Sequence, residues 1–177
     1  TGILPRKNVL VQIAQLGMEY GPPNVRDAMR PLTHPNNREA LRRLQEWGKT
    51  GASLKIWDYW NVYHHRFLFP FTCVSAIPEN IKTYSRNNIK MIFSEAEEIM
   101  NNRLTGCSFL ALRNYLGAKC MVNPEIDSKA VISDFMLHYY GTAAEPMTAL
   151  LNYIETRMNE EPGAIGWTLS LSRYLDK

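Results

Sequence analysis

Cysteine is scarce: the 177 residues contain three, Cys73, Cys107 and Cys120. An odd number cannot all pair, and no CxxC or Cys/His ligand spacing occurs, so neither a disulfide framework nor a zinc module is expected. Free and mostly buried thiols are the plain reading. No segment approaches the roughly 18 uninterrupted apolar residues of a membrane span. The start, TGILPRKNVLV, has neither the basic opening nor the apolar stretch of a signal peptide and reaches a strand within about ten residues, as in a chain processed, truncated or cut from something larger. No GxSxG-type nucleophile motif is present and no glycine-rich phosphate loop follows a strand, so acyl transfer and nucleotide binding lack support and no cofactor is expected. Charge of one sign is not in large excess either, at a net +3. Its densest basic group, Arg38, Arg42 and Arg43, alternates with core positions of one helix and reads as a solvated face. With no base-stacking motif and no helix-turn-helix, nucleic acid is not an expected partner.

What the chain does have is an ordinary globular composition, 45% hydrophobic and 21% charged, and a clear change of pattern along its length. Asn8 to Ala14 (NVLVQIA) is a short, almost continuously apolar run that suits a strand covered on both faces. Leu16 to Pro35 is rich in Gly and Pro and reads as a long excursion of the kind that carries function in α/β proteins. A helix follows, capped by Asn36 or Asn37, with Ala40, Leu41, Leu44 and Trp47 on one face and an end near Gly48 to Gly51. Ser53 to Asp58 is a second strand. Ser75 caps a second helix with Pro78 in its first turn and Ile77, Ile81 and Tyr84 as its stripe, and Ile89 to Glu95 is a third strand. Strand, helix, strand, helix, strand predicts a parallel sheet. Beyond residue 107 three segments show only helical spacing, with Asp127 or Ser128 as a cap, Gly141 as a stop and Pro146 in the last first turn. The fold class read from this is α/β: a partial (β/α)8-type barrel of three parallel strands over 1–106, then an all-helical extension over 107–177. Since closure takes about eight strands and about 250 residues, about five strands lie outside this chain on that reading.

In parallel α/β folds the carboxyl ends of the strands face the ligand. Asp58 ends the second strand and Glu95 the third. Alternation puts Leu54, Ile56 and Asp58 on one face of their strand and Met91, Phe93 and Glu95 on one face of theirs, so the two carboxylates are expected in equivalent places. Strand spacing then puts them roughly 5 to 10 Å apart, a range that spans the separations used in glycoside hydrolysis. The plainer alternative is that each acid caps the segment after it or pairs with a nearby Lys or Arg. The stretch SLKIWDYWNVYHHRF adds Trp57, Tyr59, Trp60 and Tyr63, flat side chains that can stack on the apolar faces of sugar rings, although Trp57 and Trp60 also read as core. His64 and His65 are adjacent and point apart in an extended loop, so no metal site is expected, while His64 is a candidate substrate contact.

SLKIWDYWNVY, IPENIKTYSRNNIKMIFSEAE and FLALRNYLGAKCMVNPEIDSKAVISDFMLHYYGTAAEPM, in that order, resemble a bacterial family known as a domain of unknown function in large, exported, polysaccharide-associated proteins. Those proteins are similar to glycoside hydrolases of the alpha-glucuronidase and beta-hexosaminidase type. The resemblance runs from Pro5 to Met158 and rests most on IWDY, FSE, LRNYLGAK and the DF…YYGTAA helix end. It implies a barrel with a helical C-terminal extension, a periplasmic or cell-surface location, and a general acid carried on segments that precede this chain. Asp58 and Tyr59 match the family's WDY and Glu95 its strand-end acid. Ala96 stands where a glycine is expected after that acid.

The resulting expectation is the C-terminal part of a glycoside hydrolase acting on polysaccharide or oligosaccharide, inactive alone. Asp58 would orient a sugar hydroxyl or a water and Glu95 would act as base or hydroxyl ligand, with Trp57, Tyr59, Tyr63 and His64 as substrate contacts. Two rival classes remain open: a non-catalytic carbohydrate-binding module and a helical interaction domain. A homodimer through the sheet edge is a further expectation.

Overall fold

The structure is a computed structural model that describes residues 4–14, 27, 29–61, 70–96, 98–100, 103–105 and 108–160. Strands β1 (Leu10–Ala14), β2 (Ser53–Tyr59) and β3 (Ile89–Glu95) form one parallel sheet in that order, joined through helices α1 (Arg38–Lys49) and α2 (Ala76–Arg86). The alternation expected from the sequence is therefore present, and β3 covers its expected span. A three-residue antiparallel pair, β4 (Glu98–Met100) with β5 (Arg103–Thr105), follows β3 and has no hydrophobic pattern that would have announced it. Then come α3 (Leu110–Val122), α4 (Ser128–Tyr140) and α5 (Ala144–Glu160), the helical region expected.

Local chemistry explains both ends of α4, whereas Ser75, expected to cap α2, makes no side-chain cap bond. The Asp127 carboxylate accepts the backbone N–H groups of Lys129 and Ala130, satisfying two orphan donors at the start of α4. Gly141 ends α4 with φ at 54°, a conformation that an L side chain rarely adopts. On α1, Glu39 lies between Arg42 and Arg43, whose guanidinium groups hold its carboxyl down at about 2, and Arg42 also meets Glu46. These pairs line the solvent side of the helix, while Leu44 is buried and Trp47 stays 38% exposed, unlike the shared core face expected.

Both crossover helices pack on one side of the sheet. Leu44 of α1 and Tyr84 of α2 meet Ile56 of β2 there, with Leu32 from the preceding loop. β1 is consequently covered on one face only: Val11 and Ile13 are half-buried whereas Leu10, Gln12 and Ala14 are exposed, which corrects the expectation of a strand buried on both sides. A second and larger cluster runs from Trp60, Ile77 and Ile81 to Leu112, Leu116 and Cys120 of α3 and on to Met136, Leu151 and Ile154 of α4 and α5. Each such side chain contributes about 1.5 to 3 kcal/mol of burial, so this cluster ties the helical region to the sheet.

Candidate functional site

Strand β2 alternates in environment from Ser53 to Asp58, and Tyr59 at its end is buried as well. Leu54, Ile56 and Asp58 are fully buried on the helix side, and Lys55 and Trp57 are half-buried on the other. On β3 the register aligns Lys55 with Met91, Trp57 with Phe93, Asp58 with Ser94 and Tyr59 with Glu95. Aligned neighbours in a parallel sheet point to the same side, so Glu95 lies with Trp57 and Tyr59 and away from Asp58. The equivalence expected for the two acids is thus overturned, and the cause is one residue. Leu54 aligns with Ile89 but Lys55 with Met91, which leaves Lys90 as an extra residue between them. Without that irregularity Asp58 would align with Phe93 and share a face with Glu95; a one-residue slip reverses every side chain beyond it. The start of the pairing is pinned by Asn88, whose φ of 61° turns the chain into β3 and whose side-chain amide donates to the Ala52 carbonyl at 2.9 Å.

On the helix side, Asp58 accepts the backbone N–H of Tyr59 and the indole N–H of Trp60, both at 3.1 Å. The outer edge of the Trp60 ring lies against α3, close enough that a Cβ on Gly117 would stand 2.2 Å from its Cη2. Asp58 therefore fixes the side chain that docks the strand end onto α3. Glu95 has a different task. Its Oε2 accepts the indole N–H of Trp57 at 2.7 Å, and its backbone carbonyl accepts the N–H of Trp60 at 2.8 Å. Around Trp57, the Tyr59 ring stacks at 6.1 Å and 20°, and Phe93 presents its edge at 5.0 Å and 77°. The Lys55 ammonium stands 5.8 Å from the centre of the Phe93 ring. Among the described residues, the face turned away from α1 and α2 thus carries an aromatic group and a carboxylate aimed by an indole. Tyr63 and His64, the other two expected contacts, lie outside the described residues.

A family profile described as Domain of unknown function (DUF4838) matches residues 1–155. The chain belongs to this family. The DUF4838 match takes in the sheet, both crossover helices, α3 and α4, and most of α5. Comparison with curated proteins and with solved structures finds no match.

The DUF4838 chain also holds buried polar residues that sequence reasoning passed over. Asp27 is fully buried; its carboxylate meets Arg30 Nη1 at 2.6 Å and accepts from the side-chain amide of Asn36 at 3.1 Å. Asn37 completes the knot, accepting the Asp27 N–H at 2.8 Å and donating to the carbonyls of Asp27, Arg30 and Pro31. This is why Asn37, one of the two residues expected to cap α1, makes no side-chain cap bond. Arg30 Nη2 donates to the Met158 carbonyl at 2.7 Å, tying the loop before α1 to the end of α5. Arg113 of α3 is fully buried as well. Closely spaced Asp, Arg and Asn residues in a proline-rich stretch were the one available signal. Among the described residues no group of three His, Cys, Asp or Glu side chains is arranged to hold a metal ion, and no helix is long and apolar enough to cross a membrane.

Proposed function

We propose that this chain forms part of a glycoside hydrolase-like β/α barrel and that the face carrying Trp57 and Glu95 receives a sugar. The observation that carries the reading is the 2.7 Å bond from the Trp57 indole to Glu95, because it unites a stacking surface with an acid aimed from a strand's carboxyl end. Glu95 would serve as base or hydroxyl ligand and Trp57 as the stacking surface, with the buried Tyr59 ring stacked behind it rather than touching the sugar. In this reading Asp58 acts through Trp60, as a positioning residue rather than a second acid in the cleft. Further barrel strands would pair along β1 and β3, which among the described residues pair only with β2; a second copy of the chain is the alternative occupant of those edges.

One observation favours the rival reading of a non-catalytic carbohydrate-binding module: Asp58 and Glu95 face opposite sides of the sheet, so this pair alone cannot supply the two carboxylates of glycoside hydrolysis. Titrating the chain with neutral and uronate-bearing oligosaccharides while following tryptophan fluorescence tests sugar binding; Trp57→Ala should abolish any response. In a protein carrying the whole barrel, Glu95→Gln should lower turnover by about a hundredfold or more with little change in affinity if the site is catalytic. A binding module would show the reverse. Silence toward every sugar would favour the interaction-domain reading instead.

A further inference from the structure

Away from the sheet, the first turn of α2 and the facing sides of α4 and α5 enclose a groove of about 950 Å³. Its floor is aliphatic, formed by Pro78, Ile132, Met136 and Leu151, and none of the described residues lining it is aromatic. A sugar ring would find no flat partner here, which separates the groove from the Trp57 face. Its charged groups are Glu79, Glu145 and Glu155 against Lys129; Glu79 also lies 3.8 Å from Lys82, and Glu155 uses one oxygen to accept the Ser75 N–H. That local sign opposes the chain's net charge of +3, so a cation held here is held by the groove and not by the protein's overall field. The lining runs along α4 from Ser128 to Leu137 and along α5 from Ala144 to Glu155. At 1.5 Å per residue these stretches are about 14 to 17 Å long, two to three turns of a third helix.

We propose that this groove docks a basic amphipathic helix of a partner protein. Its aliphatic face would cover Pro78, Ile132, Met136 and Leu151, while flanking lysine or arginine side chains meet Glu79, Glu145 and Glu155. Apolar anchors one and two turns apart supply the affinity in such helix-in-groove contacts. The glutamates select the partner, since an acidic helix of the same shape would be repelled. This inference stands independently of the sugar reading.

The test is fluorescence anisotropy of two labelled helical peptides of about 14 residues, one of leucine and lysine and one of leucine and glutamate in the same spacing, titrated with the full chain. The leucine/lysine peptide is expected to bind about tenfold more tightly or better, a difference of about 1.4 kcal/mol. Glu145→Lys at the rim should weaken it at least about fivefold, and Leu137→Ser, which trims a rim leucine that is 60% exposed, about threefold. Glu46→Lys on the exposed side of α1 should leave binding unchanged. Circular dichroism of each variant checks that the fold persists. Equal affinity for the two peptides, no loss in either groove variant, or equal losses from Glu46→Lys and Glu145→Lys would each overturn the proposal.

Discussion

Strand β2 belongs to two environments at once, and the contrast between its faces sets out what each acid can do. On the helix side, Asp58 is fully buried and bonded to Tyr59 and Trp60, so its carboxyl group helps hold the strand end on α3. On the opposite side, Glu95 is half-buried and bonded to an indole whose ring lies among Tyr59 and Phe93. Two carboxylates ending neighbouring strands therefore differ in kind. The first is fully buried among bonded partners; the second is half-buried beside a flat ring, which is why the proposed sugar site is built on it. Position at a strand's carboxyl end is necessary for a site in this architecture, but which face the side chain takes decides the role.

The contrast can be broken most severely from the buried side. Asp27→Ala should cost about 3 to 5 kcal/mol of stability, because it removes the carboxylate that meets Arg30 at 2.6 Å in a buried position that also anchors the end of α5. Urea unfolding with an unchanged m-value would show it. Asp58→Ala should cost about 2 to 3 kcal/mol, as it removes a charged acceptor and leaves a buried indole N–H without it. Glu95→Gln should cost less than about 1 kcal/mol, because a glutamine carbonyl can still accept the Trp57 N–H at that half-exposed site. If Glu95→Gln proves as damaging as Asp58→Ala in the same denaturation series, the two faces do not differ as described.

The features legible in the sequence were those fixed by neighbours in the chain. The Asp127 cap, the Gly141 stop and the span of β3 each depend on a few consecutive residues. The relation of Asp58 to Glu95 depended on pairing between strands, and the run around the extra residue, Lys90, continues as Met91, Ile92 and Phe93 with no alternation that would fix the register. Gly117 is a second case. A glycine within a helix costs about 1 kcal/mol relative to alanine, and the reason to keep one here is the Trp60 ring, which lies 57 residues earlier in the chain. The Asp27 knot was hidden for a third reason: a turn-rich stretch of Asp, Asn and Pro looks the same in sequence whether its side chains bond water or one another. Local signals thus positioned the elements, while long-range packing assigned the acids to their faces.

The mildest test concerns an acid between the two extremes. Glu155 of α5 accepts the backbone N–H of Ser75 at 2.9 Å, which joins α5 to the start of α2, and burial pushes its pKa up despite that bond. A carboxyl whose folded pKa lies above its unfolded value near 4.5 binds its proton more tightly in the folded state. Its contribution to stability is therefore full below the unfolded pKa and is lost as the pH rises through the folded one. Glutamine cannot ionise, yet its carbonyl can keep the bond to Ser75. Glu155→Gln should thus melt about 1 to 2 °C above the parent at pH 7.5 and converge with it, or fall below it, at pH 4. Differential scanning calorimetry at the two pH values measures both. A variant that is less stable at pH 7.5 by as much as at pH 4 would mean that burial of this charge costs nothing, and the gradation from Asp58 through Glu155 to Glu95 would then rest on hydrogen bonding alone.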